Sequence, residues 1–209
     1  MLIFAGLGNP GVRHELNRHN LGAMAVDAIA ERYGFGAERA RFLGLTRQGV
    51  IATDDGPLNV LALKPQTYMN ESGQSLAQAM RFFKLTPQDV VVFHDEIDLA
   101  PGRFRMKAGG GAAGNNGIRS VAEWIGPDFR RARMGVGHPG DKERVMGHVL
   151  SNFSKEDRDW VVALCEACAQ AAPLLAAGQD ERYQAEVLRL APAEKADPRQ
   201  PPKTGDAAP

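Results

Sequence analysis

The sequence predicts an α/β fold, in which a single twisted, mixed β-sheet is flanked by helices. Three observations lead to this fold class. Short strand-like runs alternate along the chain with segments whose apolar residues recur at helical spacing. The run 90–93 is apolar throughout, as is typical of a strand buried on both faces of a sheet. Asp54-Asp55-Gly56 separates two strand-like runs and signals a hairpin, so antiparallel strands are also expected.

The predicted elements follow one another in a regular order. Strands are predicted over 2–5, 42–53, 58–63, 90–93, 103–107 and 131–136. Helices are predicted over 21–33, 72–84, 117–125, from a capping-box sequence at 154–157 to about 176, and over 181–190. From residue 191 onward the chain is rich in proline and has no aromatic residue, so it buries too little apolar surface to offset its ordering entropy. We therefore predict one domain over 1–190 and a disordered tail over 191–209.

The composition limits the classes of function that the chain can serve. Hydrophobic residues make up 44% of the 209 positions, charged residues make up 24%, and the formal net charge is zero. Nucleic acid must therefore be bound by a local basic patch, because no overall positive field is available. No segment approaches the roughly 18 apolar residues of a membrane span, and the first residues lack the basic leader of a signal peptide. We expect a cytoplasmic protein without membrane association.

The two cysteines, Cys165 and Cys168, have C-x-x-C spacing but lie inside a long amphipathic pattern. A zinc site needs about four ligands, and the chain has no second cysteine pair. A redox pair usually opens a helix after a strand, whereas this pair falls in the middle of a predicted helix. We expect two small buried hydrophobic side chains, and we predict neither a metal site nor a cofactor.

His19 is the histidine whose neighbours best suit catalysis, since Arg18 and Asn20 flank it and Gly22 follows. A neutral imidazole can take a proton from water, and a carboxylate that accepts its other ring N–H fixes the tautomer. Asparagine amides elsewhere can donate to an oxyanion without titrating. These residue types point to a hydrolase that uses neither a metal ion nor a nucleophilic serine.

The carboxylate is predicted to come from the run 94–98, which reads His-Asp-Glu-Ile-Asp after the apolar strand. On a strand, Asp95 points to one face while His94, Glu96 and Asp98 point to the other. A single carboxylate that serves a distant histidine is the functional interpretation of Asp95. A metal cluster and a solvated strand end are the alternatives.

The glycine-rich loop 6–11 matches the dinucleotide-binding pattern G-x-G-x-x-G after a strand, which makes a nucleotide-dependent enzyme the main rival hypothesis. Three details weigh against it. Pro10 lacks an N–H for a pyrophosphate, residues 12–19 have no clean apolar face, and Glu31 falls in a helical pattern rather than at the end of a second strand.

Two groups of basic residues offer local contacts to nucleic acid. Arg103, Arg105 and Lys107 alternate along one predicted strand and lead into a glycine run, and a second group lies at 130–133. Alternation of this kind is normal for a half-exposed strand, and it also suits a stripe that contacts phosphates.

Taken together, the fragments resemble the bacterial peptidyl-tRNA hydrolase family. The resemblance is carried by six blocks in the family's order, spread over most of residues 2–190: 6–11, 18–20, 69–73, 94–99, 109–117 and 135–140. It implies a monomeric α/β protein that hydrolyses the ester between a peptide and the 3′ end of tRNA, without a cofactor. A non-catalytic RNA-binding relative is the alternative within this resemblance.

The resemblance also implies roles for particular residues. His19 is expected to be the general base, supported by Asp95, and Asn9 is expected to act with them. The predicted substrate or tRNA contacts are His14, Tyr68, Asn70, Asn116, Lys107 and Arg133. The chain departs from the family pattern at several positions: Ala112 and Asn115 stand where histidines are usual, His14 where tyrosine is common, and Tyr68 where phenylalanine is frequent.

Overall fold

A computed structural model of the chain describes residues 1–193, which contain one seven-stranded mixed sheet. The strands, in the spatial order β2-β3-β4-β1-β5-β7-β6, are β1 (Leu2–Gly6), β2 (Arg39–Arg41), β3 (Gly44–Thr53), β4 (Gly56–Pro65), β5 (Val90–Glu96), β6 (Phe104–Ala108) and β7 (Arg130–Gly135). Strand β1 pairs in parallel with β4 and β5, and β5 pairs in parallel with β7. The other three pairs are antiparallel. The predicted fold class is therefore confirmed.

Helices cover both faces of the sheet. They are α1 (Leu21–Arg32), α2 (Ser72–Phe83), α3 (Asn116–Ile125), α4 (Val145–Val149), α5 (Arg158–Gln170), α6 (Ala172–Ala176) and α7 (Asp180–Leu190). One core cluster joins α1, α5, α6 and α7 to the sheet face that carries Phe4 and Phe93. The second joins α2 and α3 to the opposite face, which carries Ile3 and Val92. The alternation of side chains along β1 and β5 divides the core in this way, because successive residues of a strand point to opposite faces.

The structure differs from the predicted elements in several places. Helix α4 was not predicted, and residues 42–43 of the predicted strand form a turn. The predicted helix to about residue 176 is interrupted, because α5 ends at Gln170 and Pro173, which has no N–H to continue a helix, lies in the first turn of α6. The strand β2 was missed because all three of its residues are exposed and two are arginine, so no alternation of burial marks it. The predicted tail lies outside the described residues from 194 onward, and the domain boundary at 190 stays a prediction.

The cysteine prediction is confirmed. Cys165 and Cys168 are free, buried and in the middle of α5. Burial raises the pKa of the Cys168 thiol to about 12, so the reactive thiolate is scarce at neutral pH. Within residues 1–193 no helix combines the length and the apolarity needed to cross a membrane.

Candidate active site

A cleft of about 420 Å³ opens where β5 ends, beside the 3₁₀ turn Arg18–Asn20 and the start of α3. Its lining includes His19, Asp95, Asn115, Asn116, His138 and Met146. The two central parallel strands β1 and β5 end at this edge, so the loops that follow them meet there. This is the usual place for a ligand site in a sheet of this type.

His19 and Asp95 are in direct contact although 75 residues separate them along the chain. The Nδ1 of His19 lies 2.9 Å from Oδ1 and 2.8 Å from Oδ2 of Asp95. Gly22 permits this contact, because a Cβ at that position would lie 2.1 Å from the carbonyl oxygen of Phe93. Helix α1 therefore begins directly against β5, which brings the turn that precedes it to the end of the strand. Since Nδ1 faces the carboxylate, Nε2 is left to act on substrate or water.

The protonation of His19 depends on two opposing effects. Burial lowers the pKa of His19, and the charge of Asp95 together with its hydrogen bond raises it. The effects of Asp95 prevail, so the pKa of His19 lies above its ordinary value of 6.5. Asp95 therefore stabilises the imidazolium that forms when His19 takes up a proton, as general base catalysis requires.

Asp95 is itself held by two neighbouring side chains. The Nδ2 of Asn115 lies 3.3 Å from both the backbone oxygen and Oδ1 of Asp95. On the other face of β5, His94 donates its Nδ1–H to the backbone oxygen of Asp95 at 2.7 Å. Burial lowers the pKa of His94, which keeps this imidazole neutral. The orientation of the Asp95 carboxylate is thus supported from the start of α3 and from the interior of the sheet.

Asn9 is fixed in the loop after β1 by a reciprocal pair of bonds to Asn20. The backbone N–H of Asn9 donates to Oδ1 of Asn20 at 2.9 Å, and Nδ2 of Asn20 donates to the backbone oxygen of Asn9 at 3.0 Å. The Oδ1 of Asn9 accepts the backbone N–H of Met69 at 3.0 Å. Because Oδ1 is engaged, the side chain presents its Nδ2 donor, which has no partner among residues 1–193.

Met69 links the three predicted asparagines. Its backbone N–H donates to Oδ1 of Asn9, and it immediately precedes Asn70 in the turn Met69–Glu71. A Cβ at Gly117 would lie 2.5 Å from Sδ of Met69, so α3 begins against this turn and Asn116 lies close by. Asn70 and Asn116 are both exposed, and Asn116 lines the cleft.

The structure does not bring every predicted contact residue into the cleft. Tyr68 is 69% exposed and lies outside the cleft lining, as does Asn70, and Asn9 lines a neighbouring pocket instead. His14 is turned away, with its Nδ1 2.8 Å from Oδ1 of Asn17. Their predicted roles in substrate binding therefore rest on the resemblance and not on the geometry of the cleft.

The two predicted phosphate contacts lie on β6 and β7, on the side of β5 away from β1, and neither lines the cleft. Lys107 is exposed on β6 and extends over Gly110, where a Cβ would lie 2.8 Å from its Nζ. Arg133 on β7 is half-buried, and its Nε donates to Oε2 of Glu96 at 2.9 Å. The bond to Glu96 positions Arg133, and among residues 1–193 its two terminal nitrogens have no hydrogen-bond partner, so they are available to a further anion.

Three residues with a clear part in this arrangement were missed by sequence reasoning. Asn115 holds Asp95 and also caps α3, accepting the backbone N–H of Ile118 at 3.1 Å. The sequence signal was available, because asparagine is a preferred N-cap residue. Asn20 and Arg131 gave no such signal. Buried Arg131 binds the backbone oxygens of Gly110 and Gly111 and so anchors the glycine loop.

The loop 6–11 does not serve as a dinucleotide site in the expected way. The chain continues from it through turns, and the next regular element is the 3₁₀ turn Arg18–Asn20, so no helix opens at the glycines. Residues 1–193 also contain no group of three or more His, Cys, Asp or Glu side chains placed to hold a metal ion.

Comparison with known proteins identifies the family. The family model described as peptidyl-tRNA hydrolase matches residues 3–195. The chain belongs to the peptidyl-tRNA hydrolase family. It is 70% identical to the peptidyl-tRNA hydrolase of Phenylobacterium zucineum, over 95% of each chain. It is 62% identical to that of Caulobacter vibrioides, over 97% of this chain and 99% of the relative.

The fold of the peptidyl-tRNA hydrolase family is seen in solved structures as well. The crystal structure of peptidyl-tRNA hydrolase from Acinetobacter baumannii superimposes with a TM-score of 0.84 at 37% identity, over 92% of this chain and 97% of that one. The resemblance inferred from the six sequence blocks is therefore confirmed.

Proposed function

We propose that the chain hydrolyses the ester that joins a peptide to the 3′ end of tRNA, with His19 as the general base. The observation that carries the proposal is the contact between His19 and Asp95 in an open cleft, in a member of this family. The contact uses Nδ1, so the neutral tautomer has its lone pair on Nε2, where it can accept a proton from water.

The reaction follows from this tautomer. Nε2 of His19 takes a proton from a water molecule as its oxygen bonds to the ester carbon, and the carbonyl electrons move onto the carbonyl oxygen. The imidazolium is stabilised by Asp95. When the tetrahedral intermediate collapses, the bond to the tRNA oxygen breaks and that oxygen takes the proton from Nε2. The products are the free peptide acid and tRNA with its terminal hydroxyl restored.

We assign the asparagines as donors around the reacting carbon. We assign Nδ2 of Asn9 to the developing oxyanion, because its Oδ1 is occupied by the N–H of Met69. Asn70 and Asn116 are assigned to the peptide backbone or the attacking water. Neutral amides pair well with a peptide N–H and carbonyl but not with an ammonium group. We therefore expect substrates with a blocked α-amino group to be preferred over free aminoacyl-tRNA.

We assign the tRNA to the part of the sheet formed by β6 and β7, next to β5. Lys107 and the free edge of the Arg133 guanidinium lie there, and both suit a phosphate. His14 and Tyr68 stay predicted contacts of the substrate. The proposal also includes a cytoplasmic, monomeric enzyme, which cell fractionation and light scattering would test.

The test is cleavage of N-acetyl-aminoacyl-tRNA by the purified protein in the presence of a chelator. We expect release of N-acetyl amino acid and deacylated tRNA by the wild type and loss of turnover in His19→Ala. The matched control is His148→Gln, since His148 lies outside the cleft lining and glutamine retains a polar group near the Val136 carbonyl.

Each outcome has a definite meaning. Binding of tRNA without turnover by the wild type would establish a non-catalytic RNA-binding relative instead. Turnover near the wild-type rate in folded His19→Ala would exclude His19 as the base. Equal rates on blocked and free aminoacyl-tRNA would indicate a nonspecific esterase.

A further inference from the structure

We propose that the peptide part of the substrate docks on a second surface, which we call the distal peptide surface, formed by Arg41, Phe42, Leu43 and Phe82. The inference rests on the proposed function and extends it to peptide residues several positions away from the ester. It commits to one occupant, a peptide segment with an acidic or apolar side chain at that distance.

The backbone of this surface is unusual for the side chains that it carries. Arg41 pairs with Gly44 across the β2–β3 hairpin, so Phe42 and Leu43 form a two-residue turn. Both have positive φ, 55° and 53°, as the two central residues of a type I′ turn do. Asn-Gly is the favoured sequence for such a turn, because larger side chains are strained at positive φ. The chain thus keeps two large side chains where small residues would relieve strain.

The surface combines exposed apolar groups with an unpaired cation. Phe82 is 57% exposed and Leu43 is 47% exposed. The rings of Phe42 and Phe82 lie 5.4 Å apart, and the guanidinium of Arg41 lies 4.6 Å from the centre of each. Within residues 1–193 Arg41 has no carboxylate partner. An arginine held against two rings without a counter-ion is complementary to an acidic side chain, and the rings suit an apolar one.

The distal peptide surface is linked to the candidate active site through a neighbouring pocket of about 280 Å³, which both Asn9 and Gln66 line. The backbone oxygen of Leu43 accepts the N–H of Gln66 at 2.8 Å, and Gln66 lies only two residues before Tyr68 and four before Asn70. Strand β3 starts opposite the end of β4, since Gly44 pairs with Pro65. The turn therefore lies at the same edge of the sheet as the ends of β1 and β5.

The strand order decides which part of the substrate reaches this surface. The cations assigned to tRNA lie on β6 and β7, the ester lies at β1 and β5, and the turn lies beyond β4 on the opposite side. From β5 to β3 there are three strand spacings, or about 14 Å at roughly 4.8 Å each. An extended peptide advances about 3.3 Å per residue, so roughly four residues span the gap.

The test compares substrates that do and do not span this distance. The long substrate is a hexapeptidyl-tRNA with glutamate and phenylalanine at the fifth and sixth positions from the ester, and the short substrate is N-acetyl-aminoacyl-tRNA. The variant is Arg41→Ala combined with Phe82→Ala, two exposed side chains. The matched control is Arg81→Ala, an exposed arginine next to Phe82 that has no contact with the rings.

We expect the double variant to raise KM for the long substrate by about three- to tenfold with kcat unchanged, as for lost uniform binding. In the double variant, KM for the short substrate should equal that of the wild type. In Arg81→Ala, KM for the long substrate and KM for the short substrate should both equal the wild-type values. Replacing the glutamate of the long substrate by lysine should raise the wild-type KM.

Equal KM for the long substrate in wild type and double variant would overturn the proposal. So would a similar rise for both substrates, or weaker binding of deacylated tRNA by the double variant, which would identify the surface as an RNA contact. If the wild type cleaved neither substrate, the proposed function itself would fail, a result distinct from all of these.

Discussion

Replacement of Asp95 by asparagine tests the catalytic pair directly. Asp95 is 2% exposed, and both of its oxygens lie within 2.9 Å of Nδ1 of His19. The variant removes the negative charge and puts one nitrogen in place of one oxygen. Since Asn115 donates to Oδ1 of Asp95, the amide oxygen is expected to stay with Asn115. The amide nitrogen then faces Nδ1 of His19 and favours the wrong tautomer.

The size of the effect follows from the bond that is lost. A hydrogen bond to a charged group is worth roughly 1.5–3 kcal/mol, which corresponds to a factor of about 10 to 150 in rate. The wrong tautomer adds to this loss. We therefore expect kcat of Asp95→Asn to fall by about 10² or more, while binding of tRNA is unchanged.

The pH dependence of the cleavage rate should also change in Asp95→Asn. Catalysis uses neutral His19, and the pKa of His19 is raised above 6.5, so wild-type activity should fall as the pH drops through that raised pKa. In Asp95→Asn the two effects that raise the pKa are gone and burial remains, so the acid limb should move to lower pH.

The assay is the initial rate of N-acetyl-aminoacyl-tRNA cleavage between about pH 5 and about pH 8.5, paired with an NMR titration of His19. Asp98→Asn is the matched control, because Asp98 is exposed and only three residues further along the chain. An unchanged acid limb together with a kcat within twofold of wild type would refute the role assigned to Asp95.

Four further predictions concern single side chains. Because the pKa of His19 is raised, its pair with Asp95 stabilises the fold fully below about pH 6.5 and less as the pH rises through the raised pKa. In urea unfolding, His19→Gln should therefore lose more free energy of unfolding at about pH 5.5 than at about pH 8.5. Equal losses at the two pH values would contradict this. The side chain of His94→Asn can still donate to the backbone oxygen of Asp95, whereas that of His94→Gln cannot. We therefore expect kcat to be roughly tenfold lower in the glutamine variant than in the asparagine variant. Equal kcat values would argue against a positioning role for His94. Lys107→Ala should raise KM more than it lowers kcat and should flatten the salt dependence of tRNA binding by roughly one phosphate; an unchanged slope would place the tRNA on another surface. Leu43→Gly should raise the free energy of unfolding by roughly 0.5–1 kcal/mol, because glycine adopts the positive φ of 53° without strain. A lower melting temperature in this variant would show instead that the leucine side chain stabilises the turn.

Local patterns were sufficient for the features that depend on neighbouring residues. The apolar run 90–93 marked a buried central strand, and Asp54-Asp55 forms the hairpin turn between β3 and β4. The helical spacing around Cys165 indicated a buried position, which the structure has. Period-two and period-3.6 patterns record which face of an element is buried, and turn residues record where the chain reverses, so these properties are present in the sequence itself.

The fold class, the strand and helix types and the residue types available for chemistry, among them His19 and the asparagines, can be predicted from the sequence. Which of these side chains meet depends on the tertiary structure. The contact of His19 with Asp95 depends on the close approach of α1 to β5 at Gly22, and the part played by Asn115 depends on where α3 begins. Local patterns likewise did not predict edge strand β2 or the position of its turn beside Gln66. Such contacts join residues far apart in the chain, and neither periodicity nor turn propensity carries information about pairs at that separation.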